Sequence, residues 1–219
     1  TCAVDNIGVV SCWGEDAEGQ STVPEELGTI VQVSAGYRHT CAADNIGVVS
    51  CWGENLSDQS AVPEGLGTIV QVSAGMYHTC AIDNIGVVSC WGENGNGQST
   101  VPEGLGRIVQ VSAGHFHTCV VDDTGIVSCW GKNEEGQSTV PEGLGTIERV
   151  SAGAYHTCAA DNTGAVSCWG ENWYGESTVP EGLGTIEQVS TGGNHTCVAD
   201  NTGAVSCWGF NDYGQCDVP

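Results

Sequence analysis

Positive charge is almost missing from this sequence, in which four Lys and Arg residues face 27 Asp and Glu for a formal net charge of −23 over 219 residues. Arg38, Arg107, Lys132 and Arg149 make up the whole cationic set, so a phosphate backbone is repelled and nucleic acid is excluded as an expected partner. Long apolar stretches are missing too. No run of about eighteen apolar residues occurs, and no basic segment followed by an apolar run stands at Thr1, so the sequence reads as a mature or partial chain with neither membrane span nor signal peptide. Catalytic signatures are absent in the same way: there is no GxSxG, HExxH or P-loop segment, and no Ser/His/Asp set stands out in one place. The expectation is a non-enzyme without a cofactor. CxxC pairs are lacking despite 13 cysteines, which points to disulfides rather than metal, and so to a secreted, extracellular or cell-surface location.

What fills the chain is a repeat. Cys2, Cys41, Cys80, Cys119, Cys158 and Cys197 recur every 39 residues; Cys12, Cys51, Cys90, Cys129, Cys168 and Cys207 keep the same period, as do Trp13, Trp52, Trp91, Trp130, Trp169 and Trp208. No linker divides the units, so 1–219 reads as a single repeat domain. Within one unit, Ile30 to Ala35, Thr40 to Asp44 and Val48 to Trp52 are rich in Val, Ile, Thr and Cys and bounded by Gly, Asn, Asp or Pro, with a short fourth run from Ser60 to Val62. The expected fold is therefore all-β: a β-propeller-like array of six 39-residue repeats, each a short four-stranded antiparallel blade, in a ring that is incomplete or open. Six hairpins (1–13, 40–52, 79–91, 118–130, 157–169 and 196–208) have only five IxxVSxG strands to accompany them, beginning at Ile30, Ile69, Ile108, Ile147 and Ile186. One strand edge is left unpaired.

The hairpin gives a sharper expectation. If Asn6, Ile7 and Gly8 form a three-residue loop with Gly8 left-handed, Val4 faces Val10, Ala3 faces Ser11 and Cys2 faces Cys12. The same arithmetic pairs Cys41 with Cys51, Cys80 with Cys90, Cys119 with Cys129, Cys158 with Cys168 and Cys197 with Cys207. Cys216 is left over where other units carry Ser21, Ser60, Ser99, Ser138 and Ser177, and it reads either as a small half-buried substitute or as a free or intermolecular thiol.

These units, of the form AGYRHTCAADNIGVVSCWGENLSDQSAVP, resemble the repeat of the regulator of chromosome condensation superfamily along essentially the whole chain. Within it, the WGxNxxGQ segment (Trp91 to Gln98), the TVP segment (Thr100 to Pro102) and the SAGxxHT segment (Ser112 to Thr118) are most similar to the secreted propeller-type β-lactamase inhibitory proteins. That resemblance implies a propeller whose loops at one end grip a target protein. The paired hairpin cysteines stand outside the family pattern and set the chain apart from the nuclear exchange factors of the superfamily.

Internal variation marks the candidate binding residues. Two stretches differ between units while the rest hardly does: the pair after SAG or TGG (Tyr37 and Arg38, Met76 and Tyr77, His115 and Phe116, Ala154 and Tyr155, Gly193 and Asn194) and the loop after WG. All the tyrosines and phenylalanines lie there, with Trp173, Tyr174, Phe210 and Tyr213 in the second set. Aromatics on variable loops of a rigid scaffold suit a protein or glycan ligand, or copies of the chain itself; the alternative is packing between blades. Asn55 (NLS) and Asn194 (NHT) are N-glycosylation sequons in the same stretches.

The repeating Trp residues read as core and the recurring His39, His78, His117, His156 and His195 as structural hydrogen-bonding groups. The recurring acids, Asp44 and Glu64 among them, suit turn chemistry and solubility, with loose Ca²⁺ binding as the functional alternative. Three functions follow as expectations: an extracellular binding or scaffold module, a structural subunit of a filament joined through open blade edges, or a proteinaceous enzyme inhibitor acting through the aromatic rim.

Overall fold

The structure, a computed structural model, describes residues 1–218. It is all strand and turn. A two-stranded hairpin of β1 (Cys2–Val4) and β2 (Val10–Cys12) precedes five three-stranded antiparallel sheets. The first sheet holds β3 (Ile30–Ala35), β4 (His39–Asp44) and β5 (Val49–Gly53), and the second β6 (Ile69–Ala74), β7 (His78–Asp83) and β8 (Val88–Gly92). Then come β9 (Ile108–Ala113), β10 (His117–Asp122) and β11 (Val127–Gly131), followed by β12 (Ile147–Ala152), β13 (His156–Asp161) and β14 (Val166–Gly170). The last sheet is β15 (Ile186–Thr191), β16 (His195–Asp200) and β17 (Val205–Gly209). Each blade pairs in chain order, and the first strands of successive blades contact one another, which puts them inside, along the axis. Among the described residues no strand of the last blade pairs with the first hairpin, which leaves the array open.

The hairpin register follows from the turn. Gly8 has φ 86°, Gly8 N–H donates to Asp5 O at 3.2 Å, and Cys2 lies opposite Cys12. All six hairpins repeat this pairing, and all six carry a disulfide between the facing cysteines. The turn aspartate fixes the loop by accepting two backbone N–H groups, as Asp44 does from Ile46 at 3.0 Å and Val48 at 2.8 Å.

Two expectations need correction. The fourth run does not form a strand: Ser60 ends a turn, and Ala61 and Val62 lead without ladder bonds into Pro63, which has no N–H to extend a ladder. Blades are therefore three-stranded. Trp13 is the other exception, 55% exposed, whereas Trp52, Trp91, Trp130, Trp169 and Trp208 are buried. Each buried indole donates to the loop of the preceding blade, as Trp91 Nε1 does to Gln59 O at 3.0 Å, and no equivalent partner for Trp13 lies among the described residues.

That contact is one of a set joining consecutive blades. Thr79 donates its hydroxyl to the same Gln59 O at 2.9 Å, and His39 Nε2 bonds Thr79 Oγ1 at 2.9 Å. Since Thr79 spends its only proton on Gln59, the imidazole must donate, which places its proton on Nε2 and leaves Nδ1 bare. Nδ1 of His39, His78, His117 and His156 has no hydrogen-bond partner. Along the axis the inner strands are bridged by side chains instead of by a ladder: Ser34 Oγ accepts from Ala74 N at 2.9 Å, and Gln71 both accepts from Val111 N at 3.0 Å and donates to Val111 O at 3.1 Å. Between blades the core is a column of small clusters, such as Cys80, Ile82, Ile108, Val111, Val120 and Trp130.

Candidate binding rim

Strand direction brings the two variable stretches together. The first strand of each blade ends, the second starts and the third ends at the same end of the array, so residues 36–38 and 54–60 emerge side by side. A backbone bond stitches them: Glu54 N donates to Arg38 O at 2.8 Å, repeated by Glu93 to Tyr77, Lys132 to Phe116, Glu171 to Tyr155 and Phe210 to Asn194. The hairpin turns, with their aspartates, occupy the opposite end.

The loop after WG is held by its constant residues, which frees the variable ones to point outward. Asn94 shows the pattern, with Oδ1 accepting from Ser99 N at 3.0 Å and Nδ2 donating to Thr100 Oγ1 at 2.8 Å. A buried glutamine closes the loop from within, as Gln98 Oε1 accepts from Asn96 N at 2.9 Å.

The rings on this end pack on one another across blades and still face water. Tyr37 meets Tyr77 edge-on at 6.0 Å, Phe116 meets Tyr155 at 5.8 Å with His115 beside it, and Phe210 lies between Tyr174 at 4.9 Å and Tyr213 at 5.9 Å. Tyr37, Trp173, Tyr174 and Tyr213 are 52%, 76%, 49% and 89% exposed. Packing and presentation are thus combined, since a ring pre-placed by its neighbour has little rotamer entropy left to lose on binding. Two of the four cations sit here, with the Arg38 guanidinium 5.4 Å from the Tyr37 ring and Lys132 Nζ 5.2 Å from that of Tyr155. Met76 is half-buried beside Tyr77. Around the axis at the same end, Gly36, Tyr37, Gly75, Gly114 and His115 border a shallow cavity of ≈ 350 Å³. Burial lowers the His115 pKa below the usual imidazole value, keeping that ring neutral.

The remaining sequence candidates separate. Asn55 is exposed and Asn194 half-buried. Cys216 is a free thiol whose Sγ points to Phe210 O at 3.4 Å, where Ser60 places its hydroxyl on Glu54 O at 2.8 Å. Burial, with Asp217 nearby, raises its pKa.

One group escaped sequence reasoning although its signal was present. Glu176 stands where other units have Gln20, Gln59, Gln98 and Gln137, and it is fully buried. In the second unit the amide of Gln59 donates to Glu54 Oε2 at 3.2 Å. In the fifth, two carboxyl groups meet instead, and burial together with Glu176 raises the Glu171 pKa above the ordinary carboxylate range. A raised value means that the ionised Glu171 carboxylate costs the fold more as pH rises. Glu176→Gln is expected to stabilise the protein at about pH 7 by roughly 1–3 kcal/mol, a gain that shrinks below about pH 4. Denaturant titration of both proteins at the two pH values measures it; a variant no more stable than the parent at neutral pH contradicts the assignment.

The model of the regulator of chromosome condensation (RCC1) repeat matches residues 30–59, 69–98, 108–137, 147–176 and 186–215. The chain belongs to the RCC1 repeat family. Among solved structures, this RCC1-repeat chain is similar to Prp20p from Saccharomyces cerevisiae, described with its binding to Gsp1p and histones, at TM-score 0.84 and 18% identity over 96% of this chain and 70% of that one. It is similar to the ectodomain of the Physcomitrella patens receptor kinase CR4 at TM-score 0.80 and 27% identity, over 96% and 60%. The CRINKLY WD40 ectodomain of the Arabidopsis thaliana receptor kinase ACR4 gives TM-score 0.79 and 25% identity, over 95% and 76%. The chain thus spans between 60% and 76% of the length of these three proteins. Among curated protein sequences none matches it.

Proposed function

We propose that this protein is an extracellular, non-catalytic binding module that takes a protein partner on its aromatic end. The observation that carries the reading is the convergence of both variable stretches on one end, where Tyr37, Trp173, Tyr174 and Tyr213 are exposed over an otherwise constant scaffold. Rigid aromatic anchors with a few charged neighbours are the composition of an interface core rather than of an enzyme cleft. Placement outside the cytosol is supported by the six hairpin bridges and by the likeness to two receptor-kinase ectodomains. Inhibition of a secreted hydrolase is one form this binding would take.

A second reading, assembly of copies into a filament, is favoured by the exposed inner edge of the first hairpin and by Gln188 and Ser190, whose counterparts Gln71 and Ser73 bridge to a following blade. Size-exclusion chromatography distinguishes them, since the binding module elutes as a monomer and the filament subunit as a series of assemblies. For the first reading, immobilised protein is used to select binders from a secreted-protein display library. Trp173→Ala/Tyr174→Ala/Tyr213→Ala is expected to weaken the selected binders at least tenfold, whereas Ile46→Ser/Ile85→Ser at the opposite end leaves them unchanged. Binders that follow the Ile46 and Ile85 end would sink the proposal.

A further inference from the structure

Each loop after WG begins with an Asn or Asp whose side chain organises the turn, and these six side chains are not equivalent. Asn94, Asn133 and Asn172 each use both ends of the amide: Oδ1 accepts the backbone N–H five residues on, and Nδ2 donates to the hydroxyl of Thr100, Thr139 or Thr178 at 2.8 Å. Asn211 reaches Asp217 in the same way at 2.8 Å, and Asp16 accepts from the Thr22 hydroxyl at 2.6 Å. Asn55 differs. Its Oδ1 accepts from Ser60 N at 2.9 Å, but the residue that should engage Nδ2 is Ala61, which has no hydroxyl. Among the described residues Asn55 Nδ2 has no protein partner, and the side chain is exposed.

The same loop departs from its siblings twice more. Leu56 and Ser57 follow Asn55, making it the only one of these loop asparagines that heads an Asn-x-Ser/Thr triplet. Asp58 takes the place of the glycine found in the other loops and is, among the described residues, the one non-glycine with positive φ, at 59°. Leu56 is 90% exposed, and Ser57 spends its backbone N–H on Gln59 Oε1 at 2.8 Å, leaving the hydroxyl uncommitted.

We infer that Asn55 is an N-glycan acceptor site, its amide nitrogen released for modification by the Thr-to-Ala change at position 61. The donor is a lipid-pyrophosphate-linked oligosaccharide of a secretory membrane. Nδ2 forms a bond to the anomeric carbon of the sugar, the bond from that carbon to the pyrophosphate oxygen breaks, one Nδ2 proton is lost, and the lipid pyrophosphate leaves. Oδ1 is untouched by this chemistry, so its bond from Ser60 N persists and the loop keeps its fold. At Asn94, Asn133 or Asn172 the nitrogen is already engaged by a threonine hydroxyl.

The second sequon is a by-product of the repeat. Its threonine, Thr196, is fully buried, donates to Glu176 O at 2.9 Å and is bonded by His156 Nε2 at 2.9 Å, as the matching threonines are in the preceding units. Asn194 itself is half-buried, with its carbonyl accepting Phe210 N at 2.8 Å. A glycan at Asn55 would stand on the second blade, leaving the aromatic cluster of Trp173, Tyr174, Phe210 and Tyr213 uncovered. This inference is independent of which partner the rim takes.

The test is secretion of the chain from a eukaryotic host, followed by intact mass with and without peptide N-glycosidase and peptide mapping of the released site. The expected result is one glycan, mapped to Asn55 by its conversion to aspartate and absent from both Asn55→Gln and Ser57→Ala. Ser57→Ala keeps the Asn55 turn intact, and a non-reducing mass with six bridges verifies that both variants fold. An unmodified Asn55 in the folded, secreted parent protein overturns the inference, as does a glycan found at Asn194 alone.

Discussion

Moved from about pH 7.5 to about pH 5 with its disulfides intact, the protein is expected to lose most of its conformational stability. The cause is the row of buried imidazoles between blades. Burial pulls the pKa of His39 and His156 down to about 4 and that of His78 and His117 down to about 3, below the ordinary 6.5 that an unfolded chain restores. A base with a depressed folded pKa stabilises the fold fully above the unfolded value, and loses that contribution as pH falls from there toward the folded one. Hydrogen bonding says the same, because Nε2 already donates to threonine and a second proton on Nδ1 would be a buried donor without an acceptor. Each ring therefore removes about 2 kcal/mol by about pH 5, and four together about 8 kcal/mol, against a typical domain stability of roughly 5–15 kcal/mol. Urea titrations at about pH 7.5, 6 and 5 measure the slope, and His117→Gln should flatten it by one ring's share. Equal stability at the two extremes would mean that the imidazoles are hydrated and the inter-blade contact is looser than described.

The reach of local reasoning shows in where it succeeded. Cys2 and Cys12 were alignable from sequence because a glycine-ended three-residue turn sets register by counting, and counting needs no knowledge of the rest of the chain. The fourth strand failed for the converse reason: Ser60 to Val62 has the composition of a strand but lacks a neighbour to pair with, and Pro63 closes off extension. Trp13 departs from the expectation because burial of each indole depends on the loop of another blade, a tertiary fact that periodicity hides.

The rim was legible only in part. Variation among units singled out Tyr37, Tyr77, Phe116 and Trp173, but their convergence depends on strand direction within the blade. Blade-to-blade bonds such as Gln71 to Val111 join residues 40 positions apart, one more than the 39-residue period, so comparing equivalent positions does not reveal them. Glu176 and Ala61 were readable as departures from an otherwise fixed position, yet their meaning required knowing which atom each replaced residue had bonded. Departures from a repeat are thus its most informative positions once the bonding of the regular units is known.

Full reduction should unfold the protein even at neutral pH. A bridge closing a loop of about ten residues is worth up to roughly 3 kcal/mol by chain entropy, and six of them together match or exceed the stability of a typical domain. The hydrophobic column alone is thin, because several middle-strand core positions are no larger than Ala42, Ala43, Ala81, Ala159 and Ala160. Small residues there let the sheets pack closely but remove little apolar surface from water. Order of reduction should follow exposure. Cys2–Cys12 belongs to the hairpin that has no inner strand among the described residues, and both its cysteines are half-buried, whereas Cys80, Cys119 and Cys158 have no exposed surface. Graded reductant with alkylation and peptide mapping is expected to label Cys2 and Cys12 first, with native circular dichroism retained, and the central bridges last, together with loss of the β signal. A fully alkylated protein that keeps its native spectrum would place stability in the blade packing instead. That outcome would also remove the physical reason for assigning the chain to an oxidising compartment.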